Sequence, residues 1–63
     1  DQLTVTGTNI RELAIFNQSG QLMMTLKDIR GKQTLNIESL PAGIYFVKMT
    51  TADSVSMDKL IIR

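Results

Sequence analysis

Arg11-Glu12-Leu13-Ala14-Ile15-Phe16-Asn17-Gln18-Ser19-Gly20-Gln21-Leu22-Met23-Met24-Thr25-Leu26-Lys27 reads as two strands on either side of a tight turn. Leu13 and Ile15 fall on one face of the first arm, and Ala14 and Phe16 on the other. In the second arm Leu22, Met24 and Leu26 recur with a period of two, the spacing of a half-buried strand. Asn17 to Gly20 is rich in turn formers, and Gly20 is placed to take a positive φ. The segment therefore predicts a β-hairpin. Gln21 to Leu26 could make one helical turn, but a piece that short does not stand alone.

The same rhythm continues in both directions. Leu3 to Thr6 alternates apolar and polar residues, and Gly7-Thr8-Asn9 ends it. After the hairpin, Asp28-Ile29-Arg30-Gly31 reads as a second turn and Lys32 to Ile37 as a fourth strand. Glu38 to Gly43 forms a corner around the only proline. Ile44 to Thr50 is a fifth strand, Thr51 to Ser54 a turn, and Val55 to Arg63 the last strand. Seven Thr, seven Ile and three Val give the chain many β-branched residues for its length. Six short strands in 63 residues suit two packed sheets, because one open sheet would leave an apolar face wet. The expected fold is thus all-β: a small antiparallel two-sheet Greek-key sandwich of immunoglobulin type. Its expected core is Leu3, Val5, Leu13, Ile15, Leu22, Met24, Leu26, Leu35, Ile37, Leu40, Tyr45, Val47, Met49, Leu60 and Ile62.

Composition narrows the chemistry. There is no Cys and no His, so disulfides, thiolate nucleophiles, imidazole bases and ordinary zinc sites are excluded. Seven Lys or Arg stand against six Asp or Glu, and the cations are scattered singly. No basic stripe tracks a phosphate backbone, and only Phe16, Tyr45 and Phe46 could stack on bases, so nucleic acid is not an expected partner. The carboxylates Asp1, Glu12, Asp28, Glu38, Asp53 and Asp58 lie in turns or on polar strand positions and lack calcium-loop spacing. A chain of 63 residues cannot also wall a sugar cleft around a carboxylate pair. They read as solvated surface. No cofactor, metal or small-molecule substrate is expected.

Leu40-Pro41-Ala42-Gly43-Ile44-Tyr45-Phe46-Val47-Lys48-Met49 carries the most specific information. Pro41 presets one turn dihedral and Gly43 can supply a positive one. Tyr45 follows, placed to bury its ring while its hydroxyl reaches backbone at the corner, the logic of a tyrosine corner. Pro41, Gly43 and Tyr45 are therefore read as architecture, since a phenol with no base or metal beside it performs no catalysis. If Tyr45, Val47 and Met49 face in, Ile44, Phe46, Lys48 and Thr50 face out. Ile44 and Phe46 then form an apolar patch, either covered by a neighbouring loop or chain end or used to dock a partner or a second copy. Met23, Met24, Met49 and Met57 read as gap fillers rather than as an adaptable binding face.

Three stretches together resemble a known family. Leu13-Ala14-Ile15-Phe16-Asn17-Gln18-Ser19-Gly20-Gln21-Leu22 is similar to its "x-I-Y-D-x-x-G-R-L-V" hairpin. Leu35 to Lys48 is similar to its "L-D-I-S-x-L-P-x-G-x-Y-x-V-K" block, and Asp58-Lys59-Leu60-Ile61-Ile62-Arg63 to its "K-K-L-x-x-K" terminus. The chain resembles the C-terminal sorting domain of type IX secretion cargo, also called the Por secretion C-terminal domain. The likeness spans nearly the whole sequence as a single domain, residues 1–63. Phe16, Gln21 and Asp58 depart from the family's common Tyr, Arg and Lys. The family usually has a P-N-P element before its first strand, and this sequence begins after that point. That implies either a domain lacking its first element or a separately made fragment of a longer exported protein.

The resemblance implies an immunoglobulin-like sandwich of about seven strands, in line with six to seven by count, and a role that is not enzymatic. Such a domain is an address. It implies a cargo already in the periplasm of a Gram-negative bacterium, passed through the outer-membrane type IX translocon to the cell surface or medium. A surface sortase-like protease then removes the domain, and the cargo is released or joined to lipopolysaccharide. The recognition signal carried over by resemblance falls on Gly43, Tyr45, Lys48, Lys59 and Arg63, with Leu60, Ile61 and Ile62 as its strand scaffold. The alternative is a non-catalytic interaction or spacer module, of adhesin or carbohydrate-binding type, in a secreted protein. In either case an open sandwich has edges that recruit other chains, so a homodimer through Val55 to Arg63 or Leu3 to Thr6 is expected.

Overall fold

The hairpin forms, and both of its arms run further than the pattern of their residues suggested. The computed structural model describes residues 2–63 and every side chain within them except that of Thr8. Asp1, read above as a surface carboxylate, lies outside the described residues. Strand β1 spans Gln2–Asn17 and β2 spans Leu22–Asn36. Asn17 closes the turn between them. Its N–H donates to the Gln21 carbonyl at 2.9 Å and its carbonyl accepts from the Gly20 N–H at 3.0 Å. Its side-chain Oδ1 accepts from the N–H groups of Ser19 and Gln21, at 3.0 and 2.9 Å. Gly20 takes φ 89°, as its position in the turn requires.

Strand β3 spans Gly43–Thr51 and β4 spans Val55–Ile62, joined by a turn in which Thr51 N–H donates to Ser54 O at 2.9 Å. The strands form one antiparallel sheet in the order β2-β1-β3-β4. Two hairpins lie side by side, and the link from β2 to β3 passes β1. This is not a Greek key, which needs three consecutive hairpin-connected strands.

The all-β expectation holds. The expected two sheets of six to seven strands are instead one sheet of four. All six expected segments exist as extended chain, but the first and second are the two halves of β1, and the third and fourth the two halves of β2. Gly7-Thr8-Asn9 and Asp28 to Gly31 have turn composition, yet the chain bends there without reversing. A straight strand of 15 or 16 residues would span about 50 Å at roughly 3.3 Å per residue. The longest axis of the whole molecule is 30 Å, so both strands must fold over.

The bend has a local cause. Asn9 and Asp28 take φ 60° and 55°, and Gly31 takes 79°. Gly7 pairs with Gly31 and Ile10 with Ile29, so three steps on β1 match two on β2. That extra residue is a β-bulge, which bends a strand and sharpens its twist. Beyond it, Gln2 to Gly7 and Gly31 to Asn36 continue as a two-stranded arm. Leu3 to Thr6 of the arm line one groove together with Val47 and Met49 of β3 and Asp58 to Leu60 of β4. The sheet thus curls over its own inner face, and one sheet supplies both layers of the core.

That core centres on Leu13 and Ile15, which are 1% and 0% exposed. Ile10, Ile29, Leu35, Ile37, Leu40, Tyr45 and Ile62 are buried around them. Leu3, Val5, Met24, Leu26, Val47, Met49 and Leu60 pack at the margin. Leu22 was expected inside and is 56% exposed. Ile15 pairs with Met24 and Phe16 with Leu22, so Met23 is an unpaired extra residue. A slip of one residue turns a side chain to the other face. The four methionines divide: Met24 and Met49 pack on the core, whereas Met23 and Met57 face solvent.

Candidate functional site

Alternation along β3 settles what each of its residues can do. Tyr45 is buried and Val47 and Met49 pack against the core, so Ile44, Phe46, Lys48 and Thr50 project from the opposite, outer face. The corner before β3 brings Pro41, Gly43 and Tyr45 together. The Tyr45 hydroxyl donates to the Pro41 carbonyl. Gly43 takes φ 154°, a conformation that strains any residue with a Cβ, although a Cβ there would meet no atom within 4 Å. Upstream, Leu40 N–H donates to Ile37 O at 3.0 Å, and Asn36 Oδ1 accepts from Glu38 N–H at 2.9 Å. The corner is a packed structural element that sets the register of β3.

The β3–β4 ladder sorts the terminal segment. Ile44 pairs with Ile61, Phe46 with Lys59, Lys48 with Met57, and Thr50 with Val55, all on the outer face. Tyr45 pairs with Leu60 and Gly43 with Ile62, on the inner face. Ile62 is 6% exposed and Leu60 packs against the core, so these two are scaffold. Lys59, Ile61 and Arg63 are exposed and Lys48 half-buried.

The β1–β3 ladder widens this face. Phe16 pairs with Phe46, Ala14 with Lys48 and Glu12 with Thr50. On its far side β1 pairs Phe16 with Leu22, Ala14 with Thr25 and Glu12 with Lys27. One row across the sheet therefore reads Leu22, Phe16, Phe46, Lys59, and the next Thr25, Ala14, Lys48, Met57. Lys48 and Lys59 are diagonal neighbours, at roughly 7–8 Å in ordinary sheet geometry. Ile44 and Phe46, singled out from sequence as a patch, are half-buried, and Phe16, Leu22, Met57, Ile61 and Val55 extend the patch. A shallow groove lies between Phe16, Phe46, Lys48 and Met57. The alternation of β1 in the sequence put Phe16 on the outer side, but its meeting with Phe46 depends on a pairing between strands distant in the chain.

The sheet leaves edges. β4 has β3 on one side only and β2 has β1 on one side only, and β1 pairs with β3 only from Ile10 onward, leaving Gln2 to Gly7 with β2 alone. The edges expected along Val55 to Arg63 and Leu3 to Thr6 are thus present among the described residues.

A family model described as the secretion system C-terminal sorting domain matches residues 1–63. The chain belongs to this family. It is a C-terminal sorting signal of type IX secretion, and the protein that carries it is exported by that Gram-negative system. No curated protein and no solved structure matches the chain. In the sorting domain, the residues read from sequence as a recognition set divide between two places. Gly43, Tyr45, Leu60 and Ile62 build the corner and core. Lys48, Lys59 and Ile61 share the outer face, and Arg63 follows at the end of β4.

Proposed function

We propose that the sorting domain is a non-catalytic address that takes its cargo from the periplasm through the outer-membrane type IX translocon. A surface sortase-like protease then removes it, and the cargo is released to the medium or joined to lipopolysaccharide. Lys48, Lys59, Ile61 and Arg63 are the side chains offered to the translocon, held in place by Leu60, Ile62 and the Tyr45 corner. The free edge of β4 is the proposed route to a homodimer, because unpaired strand edges recruit a further strand.

The observation that carries this reading is the match of the sorting-domain family to all of residues 1–63. The test is a reporter with a Sec signal, fused at its end to the sorting domain, in a type IX-competent cell. Fractionation should find the reporter at the surface or in the medium, without the domain attached. A reporter held in the periplasm while the domain is folded would overturn the address and favour a spacer module.

A further inference from the structure

The outer face of the sheet, from the start of β2 across β1 and β3 to β4, is unlike the rest of the surface. Leu22, Val55, Met57 and Ile61 are each more than half exposed, at 56, 61, 59 and 54%, and all four lie on it. With Phe16, Phe46 and Ile44 between them, they gather seven apolar side chains on one face of a 63-residue chain, the kind of exposed cluster that marks an interaction site when it is large for its protein. Its charge is one-sided. Among the described residues Glu12 is its one carboxylate, and it sits directly across the β1–β2 ladder from Lys27 and diagonally from Lys48. Lys48 stands inside the patch, between Ala14 and Met57, and Lys59 at its β4 edge, beside Phe46, with no carboxylate among their direct ladder partners.

We propose that this face is the docking surface of the sorting domain, and that its partner is a protein surface presenting carboxylates within an apolar centre. The proposal rests on the sorting reading and names the chemistry the translocon must offer. A partner that covers the apolar rows also covers the two ammonium groups. Buried cations are tolerated only when paired, so the partner has to bring the counter-charge. A second copy of the chain fits less well, because an isologous contact would set Lys48 and Lys59 of each copy against a face whose one described carboxylate, Glu12, already faces Lys27. An anionic lipid surface fits less well. Lipid-binding patches gather four to eight Lys or Arg, and the apolar rows of this face hold two lysines, Lys48 and Lys59, with no Trp or Tyr at its rim.

The test measures binding of the 63-residue chain to detergent-solubilised, purified type IX translocon at several salt concentrations, alongside the export reporter. The variants are K48E with K59E, K48Q with K59Q, M57D, and K32E as a charge change on the distant arm. Binding should fall with salt. Charge reversal should weaken it at least tenfold, mainly through association rate, and neutralisation should weaken it less. M57D should weaken it with little effect on the melting curve, while K32E should bind as the parent does. Several results would overturn the proposal: folded outer-face variants that bind and export like the parent, lysine-dependent binding to anionic vesicles but not to the translocon, or self-association abolished by M57D. If the parent chain binds the translocon but exports nothing, the docking face stands and the address fails. If the parent exports while its outer-face variants export equally well, the address stands and the docking face fails.

Discussion

Phe46 and Lys59 face each other across the β3–β4 ladder, and Phe46 also faces Phe16 across the β1–β3 ladder. An aromatic ring with a lysine on one flank and a second aromatic on the other joins the apolar and the cationic parts of the outer face. Phe46 is half-buried by these neighbours, so it is also part of the sheet's own stability. Phe46→Ala should cost roughly 0.5–1.5 kcal/mol, within the range of cross-strand and aromatic pair contributions. Chemical denaturation of the two proteins measures it, and a loss as large as that of Tyr45→Ala would place Phe46 in the core instead.

The corner gives the sharpest pair of substitutions. Tyr45→Phe removes only the hydroxyl bonded to the Pro41 carbonyl and should cost about 0.5–1.5 kcal/mol. Tyr45→Ala empties a ring-sized volume in a small core and should cost about 3–5 kcal/mol. For a domain of this size each kcal/mol moves the melting temperature by about 4–8 °C. Equal melting curves for the two variants would show that the ring is not packed.

Gly43→Ala separates strain from crowding. Nothing stands within 4 Å of a Cβ at this position, so the cost is conformational, about 1–3 kcal/mol from φ 154°. Gly43→Val should cost at least as much. A melting temperature unchanged by Gly43→Ala would mean that the corner relaxes freely.

Ile10 and Ile29 sit opposite each other at the bend, both buried. Either change to Ala should cost about 2–5 kcal/mol. Because the two are ladder partners, the double variant should depart from the sum by about 0.5 kcal/mol or more. Leu22→Ala is the contrast, within about 0.5 kcal/mol, because Leu22 is exposed. A destabilising Leu22→Ala would contradict the phase change at Met23.

Export separates charge from fold. Lys59→Glu with Arg63→Glu leaves the core untouched, since both residues are exposed. The double variant should melt as the parent does while the reporter stays in the periplasm. A folded double variant exported at the parental level would remove the terminal cations from the address.

These residues also mark what sequence alone can disclose. The hairpin around Asn17, the Tyr45 corner and the inward and outward faces of β3 were legible, because each depends on neighbours within a few positions. Ile10 and Ile29 were not. Ile10 follows Gly7-Thr8-Asn9 and Ile29 lies within Asp28 to Gly31, stretches whose composition suits a reversal and a bulge equally. Only pairing across the sheet distinguishes the two, and pairing is non-local. The same limit hid the extra residue Met23 and so misplaced Leu22. The outer face was half legible: Ile44, Phe46 and Lys48 follow from alternation. Their union with Phe16, Met57 and Ile61 needs the order β1-β3-β4, which the chain does not spell out locally.

The bend at Asn9 and Asp28 has a mechanical side. Both layers are cut from the same two strands, so they cannot slide apart as independent plates. They can only swing about one hinge line. A pull along β1 and β2 loads their ladder in shear, with many hydrogen bonds strained at once, whereas a force that lifts the arm turns the backbone at the bend and must uncover the buried Leu35 with Leu3 and Val5. Opening the arm and exposing the core are therefore one event, controlled at the handful of residues that form the bend.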